Sequence, residues 1–303
     1  MIYSNSCTHK PCVRRRTRPA TPALAVGGTL LALLVVIVLG APFLTALLGI
    51  DAGAIDLFQR LTPPGDGHPL GTDELGRDLL ARLLTAGRVS LAVGLLGAVA
   101  AGAIGTVIGL VAGHAGGRVD GFLMRLTDVV IALPLLPLLV VFAALDWGKL
   151  GLNILMGGEL ASLWRLLLIV ALFGWTTMAR LVRAATLSQQ AQPFVKAAEA
   201  LGASPTRILW RHLLPGVSTP VLVAMALTVG QVILAESVLS FLGLGIQPPL
   251  ASWGGMLTQA QELIYEAPRL AILPGGLIFL TVLACNLLAD GLAYAFDPLR
   301  PER

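Results

Sequence analysis

Residues 89–113 read VSLAVGLLGAVAAGAIGTVIGLVAG, a run with no ionisable side chain. At ~1.5 Å of rise per residue, a helix of this length crosses a hydrocarbon core of ~30 Å, with every backbone amide bonded inside the segment, as lipid requires. Small residues recur along it every fourth position, at Gly97, Ala101, Gly105, Gly109 and Gly113. That interval stacks them on one stripe and lets a second helix approach closely, either within the chain or at a seam between subunits.

Outward from this run, further apolar windows of similar length lie at 23–48, 122–145, 160–181, 213–241 and 270–296. The expected fold class is therefore all-α, a polytopic membrane protein with about six transmembrane helices. Composition agrees, because 56% of the 303 residues are hydrophobic and 13% charged, against roughly 25% charged in soluble domains. Mean hydropathy is +0.82. A water-soluble core, a disordered chain and a coiled coil are excluded on these grounds. With three cysteines, Cys7, Cys12 and Cys285, a disulfide scaffold is excluded too. Cys7, His9 and Cys12 form a set of three soft ligands, one short of a closed structural zinc site, so no metal is assigned.

Arg14, Arg15, Arg16 and Arg18 precede the first window in the manner of a secretory signal. No charge then interrupts the chain before Asp51, far beyond an apolar signal core of ~7–15 residues, so an uncleaved first helix is expected. Lys and Arg set the orientation. With a cytoplasmic N-terminus, only Arg60, Arg77, Arg82, Arg88, Lys149, Arg165 and Arg269 of the 21 basic residues fall outside. Both termini are therefore expected in the cytoplasm. The chain divides into a cytoplasmic tail at 1–20, a first transmembrane helix at 21–48, an external segment at 49–88, a five-helix core at 89–296 and a tail at 297–303. Lipid is the implied environment, and no nucleic-acid partner is expected.

The cytoplasmic connection at 184–215 has its own pattern. Pro193 suits the first position of a helix, and Phe194, Ala197, Ala198 and Leu201 repeat on one face, with Lys196 and Glu199 elsewhere. Gly202 is a C-terminal stop, and after Ala203 the pair Ser204-Pro205 is an N-cap and first turn, so a second short helix carrying Arg207 and Arg211 should follow an elbow. Such a pair could lie on lipid. Its small apolar residues suit a protein groove better.

Residues 195–204, VKAAEALGAS, followed by Ile208 and Leu214-Pro215, resemble the EAA loop of ABC importer permeases. Lys196 stands where that motif usually has Glu. Residues 68–78, HPLGTDELGRD, residues 236–245, ESVLSFLGLG, then Gln247-Pro248-Pro249 and Ser252-Trp253-Gly254 resemble the second permease subunit of dipeptide, oligopeptide and nickel importers. The resemblance implies a type I ABC importer permease fold in a bacterial inner membrane, and a subunit translocating dipeptides or oligopeptides delivered by an external binding protein. It further implies a homologous second permease and two ATP-binding cassette ATPases, with ATP and Mg on those partners and no cofactor in this chain. The loop from Phe194 to Arg211 would then dock on the ATPases. Nickel or another chelated metal remains an alternative cargo. A self-sufficient secondary transporter would require internal repeats and an ion-binding constellation, and neither is legible.

Thr228, Gln231, Glu236, Ser237 and Ser240 make the fifth window the most polar. Ionisable groups in a span are costly, so this set is either a wall of the translocation path or a structural hydrogen-bond network near the external interface. Pro134, Pro137 and Pro274 with Gly275-Gly276 should bend their helices. Asp128 and Asp290 are expected to be interfacial or paired with Arg125 or other cations, while His68, His114 and His212 receive no role. No Gly-Lys-Ser/Thr phosphate loop, HExxH or GxSxG string occurs, so no catalytic residue is assigned.

Overall fold

The computed structural model describes residues 22–65, 67–145 and 160–296. Both tails, with Cys7, His9 and Cys12, and the connection carrying Lys149 lie outside the described residues. Every regular element is helical: α1 Pro22–Leu39, α2 Ala41–Leu48, α3 Leu79–Ala115, α4 Gly117–Ala132, α5 Leu135–Ala144, α6 Ala161–Phe173, α7 Trp175–Gln190, α8 Pro193–Ala200, α9 Pro205–Ile208, α10 Leu214–Phe241, α11 Trp253–Ala260 and α12 Arg269–Phe296.

α3 is the axis of the bundle. Its 37 residues extend ~55 Å, well over the ~30 Å of a hydrocarbon layer. Asp78 starts it ten residues before the apolar window, accepting the Ala81 N–H at 2.8 Å as an N-cap. α3 packs against α7, α6, α10 and α1, while α12 packs against α1 and α10.

The stripe of small residues serves this packing inside the chain. A Cβ on Gly105 would lie 2.6 Å from the Met178 Cβ and from the Trp175 carbonyl, and one on Gly109 2.6 Å from the Ala179 carbonyl. α7 thus approaches the α3 backbone directly. Gly97 meets Val232 and Val170, so the same stripe receives α10 and α6. Large apolar side chains face outward instead, among them Leu33, Val36 and Leu39 on α1 and Ile272 and Phe279 on α12. That is the surface expected toward lipid.

The window at 122–145 is not one straight helix. Leu133 takes an extended conformation ahead of Pro134, as steric conflict with a proline ring demands. Gly117–Ala132 and Pro137–Ala144 meet at 85°. The described residues therefore contain five continuous spans, or six if this bent pair counts as one. Pro274 lies inside the unbroken α12, five residues after Arg269, where it removes the N–H that would bond to the Leu270 carbonyl.

The window at 160–181 also underestimates its helix. α6 and α7 form one span, Ala161–Gln190, which carries Arg180 and Arg183 toward Asp128 and Asp120 on α4. Arg180 Nη2 lies 2.6 Å from Asp128, and Arg183 grips Asp120 with two bonds at 2.5 Å. Asp128 is thus paired with Arg180 on the neighbouring helix, and not with Arg125 on its own.

Gly105→Ala should lower the thermal midpoint of the detergent-solubilised chain, since overpacking of this kind costs ~1–3 kcal/mol. Gly121→Ala, where an added Cβ meets nothing within 4 Å, should leave the midpoint unchanged or raise it. Equal midpoints for the two variants would refute the close-packed α3–α7 seam.

Candidate functional site

Two assemblies of polar and interfacial residues stand at opposite ends of the bundle. The first is the elbow at 191–213. Pro193 opens α8, as its fixed φ and absent N–H permit. Gly202 closes it at φ +81°, where its N–H donates to Glu199 O at 2.9 Å and the Ala203 N–H to Ala198 O at 3.0 Å. This paired closure satisfies carbonyls that the helix end would otherwise strand. Ser204 accepts the Arg207 N–H at 3.4 Å and starts α9.

The second half of the elbow is not a separate short helix. α9 passes through a π turn at Leu209–Leu213 directly into α10, giving one span from Pro205 to Phe241. Continuous backbone hydrogen bonding across this turn makes the elbow an extension of the span.

Val195 anchors the elbow, fully buried with Ile208, Leu213 and Val217 against Leu110, Met178 and Val182. Sequence spacing grouped Phe194, Ala197, Ala198 and Leu201 on one face and left Val195 unassigned. In the fold Phe194 is 51% and Leu201 88% exposed. Ala198 and Ala203 are half-buried, and Lys196, Ala197, Glu199, Ser204, Arg207 and Arg211 are exposed. The apolar ridge therefore points away from its own chain. His212, given no role by sequence, lies beside Phe194 with ring centroids 6.4 Å apart. His114, equally unassigned, lies 2.8 Å from the Gln190 amide and ties the end of α7 to α3.

At the other end, Glu236 is completely buried. Its carboxylate accepts the Ser240 hydroxyl at 2.6 Å and the Ser90 hydroxyl at 3.4 Å. Ser90 in turn accepts the Trp253 N–H at 3.1 Å, and Ser240 the Ile246 N–H at 3.1 Å. Trp253 is itself buried and donates its indole N–H to Leu83 O at 3.0 Å. One carboxylate thus joins α3, α10 and the connection from α10 to α11.

Of the five polar residues Thr228, Gln231, Glu236, Ser237 and Ser240, the fold buries three. Glu236, Ser237 and Ser240 turn inward, and Ser237 bonds to the Ile233 carbonyl of its own helix at 2.8 Å. Thr228, half-buried, bonds back to Ala224 O at 2.8 Å, and Gln231 alone of the five is exposed. At ~100° per residue Glu236, Ser237 and Ser240 share one sector of the helix and Thr228 and Gln231 another, but spacing alone does not say which sector faces inward.

The segment 68–78 forms a second buried lattice beside the first. Asp73 accepts the Leu75 and Arg77 N–H groups at 2.8 and 2.9 Å, and pairs with Arg77 Nε at 2.8 Å and Arg82 Nη1 at 3.2 Å. His68 pins the start of α3, with Nδ1 2.9 Å from Asp78 and Nε2 2.5 Å from Gln59. Burial raises the Glu74 carboxyl above the ordinary carboxylate range. Gly76, at φ +72°, leaves no space for a Cβ against the Asp56 carbonyl. Arg269, at the start of α12, donates to Leu61 O and Thr62 O, both at 2.9 Å. Among the described residues there is no group of three or more His, Cys, Asp or Glu arranged to hold a metal.

The sequence model of the family described as "binding-protein-dependent transport system inner membrane component" matches residues 105–300. A glutathione transport system permease protein of Pectobacterium atrosepticum is 40% identical over 242 residues, 80% of this chain and 76% of the relative. An oligopeptide transport system permease protein of Bacillus subtilis is 35% identical over 269 residues, 88% of this chain and 84% of the relative.

Replacing Glu236 with Leu should free the connection at 243–252, because it strands hydroxyls whose desolvation costs ~1–3 kcal/mol. Hydrogen exchange of the Ile246 and Trp253 amides should accelerate in that variant and much less in Glu236→Gln, which keeps an acceptor. Unchanged exchange in Glu236→Leu would show that the carboxylate does not hold the connection.

Proposed function

The chain belongs to the binding-protein-dependent transport system inner membrane component family, and on that premise we propose that it imports short peptides. Membership makes it a multi-pass permease component of an ATP-driven importer, a transport protein and not an enzyme, that works with ATPase and binding-protein partners. The proposed cargo is dipeptides or oligopeptides, handed over by the binding protein. The proposed assembly contains a homologous second permease and two ATPases, which hold ATP and Mg, with both termini of this chain in the cytoplasm. Relatives whose names specify glutathione and oligopeptide transport support the peptide cargo.

The observation that carries the mechanism is the exposed ridge of Phe194 and Leu201 on an elbow continuous with α10. An ATPase groove closing on the ridge would tilt α9, and the unbroken helix would carry the tilt across the membrane. At its far end α10 holds Glu236, which is bonded to Ser90 on α3 and, through Ser90, to the Trp253 backbone. Closure on one face would thereby move the connection that guards the other, as alternating access requires. In this reading Gln231 and Thr228 face the path, Glu236, Ser237 and Ser240 brace its wall, and Lys196, Glu199, Arg207 and Arg211 fringe the docked ridge.

Gly202 supplies the test of coupling. Nothing lies within 4 Å of an added Cβ there, so a substitution acts through backbone strain alone, ~1–2 kcal/mol for a left-handed residue. In vesicles holding the chain with its ATPases, second permease and binding protein, ATP-dependent dipeptide uptake is expected. Gly202→Val should reduce it at least ~5-fold by that strain with normal membrane insertion, and Gly202→Asn less. Wild-type uptake and ATPase co-purification in Gly202→Val would overturn the docking role. An assembled wild-type complex that imports no peptide would overturn the cargo.

A further inference from the structure

A cleft of about 800 Å³ opens at the end of the bundle that carries residues 68–78. The first turns of α3 form one wall, with Arg82, Thr85, Arg88, Val89 and Ala92 all on it, the spacing of a single helical face. Leu160 and Leu163 at the start of α6 and the connection at 248–251 complete an apolar lining, and Arg77 adds a further guanidinium. Among the described residues no carboxylate lines this cleft.

The charges behind that wall nearly cancel. Arg77 is paired with Asp73 and Glu74, and Arg82 with Asp73. Arg88 is exposed and has no ion pair among the described residues. The site is left one positive charge in excess, on a long side chain facing an apolar floor. Arg77 and Arg82 retain only 16% and 12% side-chain exposure, so they set the field of the cleft without reaching a flat partner. The volume falls within the ~300–1,000 Å³ of small-molecule sites.

We infer that this cleft is a receiving site for a small solute with one carboxylate and an apolar body, and that Arg88 binds the carboxylate. Resting on the peptide reading, this assigns Arg88 to the C-terminal carboxylate of the passing peptide and the floor of Leu160, Leu163 and Leu250 to its side chains. A guanidinium–carboxylate pair is charge-assisted and directional, so it orients the peptide as well as holding it.

The test is uptake by the assembled transporter of a dipeptide and of the same dipeptide amidated at its C-terminus, both saturating the binding protein. Arg88→Gln should lower free-acid uptake ~10-fold while leaving the amide at its wild-type rate, the size expected for losing a charged hydrogen bond. Arg88→Lys should restore most of the free-acid rate. Leu163→Glu, which sets an anion in the floor, should discriminate against the free acid in the same way. Equal losses of acid and amide in Arg88→Gln would assign Arg88 to an acidic partner surface and overturn the inference. So would unchanged uptake of both in Arg88→Gln and Leu163→Glu. A wild-type complex importing neither compound overturns the peptide reading together with this inference, whereas peptide uptake indifferent to Arg88 overturns the inference alone.

Discussion

The direct contact of α7 with the bare backbone of α3 is the constraint from which the rest of the molecule follows. Apolar burial from water does not drive helices together in lipid, so association rests on van der Waals fit and a few interhelical bonds. Gly105, Gly109 and Gly113 supply that fit by letting Met178, Ala179, Val182 and Thr186 approach the helix axis. Once α3 is held there, its two ends are fixed. One presents Ser90 to Glu236 and Trp253, and the other places Leu110 under Val195 and His114 beside Gln190.

The two ends differ in how they are held, and the difference suits transport. At the elbow a single side chain on α8, Val195, is buried, and the ridge of Phe194 and Leu201 is left exposed. At the opposite end a carboxylate, two serines and backbone N–H groups form a closed network in a buried setting. Each such bond is strengthened by low dielectric and costly to leave unmade. In the proposed coupling, a force entering at the lightly tethered elbow would reach the firmly bonded far end through the single span Pro205–Phe241.

Much of this was legible in the residues, and the gaps have physical causes. Charge-poor windows located the spans, because a charge placed in lipid costs more than any local preference can offset. Their edges were poor, since α3 and α7 run on past the windows as helices stabilised by an Asp78 cap and by Arg183 to Asp120 pairing, neither of which hydropathy registers. Pro134 sits at a sharp bend as expected, whereas Pro274 lies within an unbroken helix. Gly202 and Ser204 were readable from local chemistry alone. Val195 was not: its burial depends on Leu110 and Val182, remote in sequence.

By itself the sequence determined an all-helical membrane chain, the approximate position of its spans, an elbow at Gly202 and the family to which it belongs. The first three rest on local costs, namely charges in lipid, backbone amides without water and the φ that only glycine takes freely, and the last on the resemblance of residues 68–78, 195–204 and 236–245 to a known family. The tertiary structure alone decided that the glycine stripe is an internal seam, that Glu236, Ser237 and Ser240 face inward, that the elbow continues into α10, and that Arg77, Arg82 and Arg88 share one cleft. Each of those depends on which face of one helix meets another, and packing sets that rotation where hydropathy is the same all round.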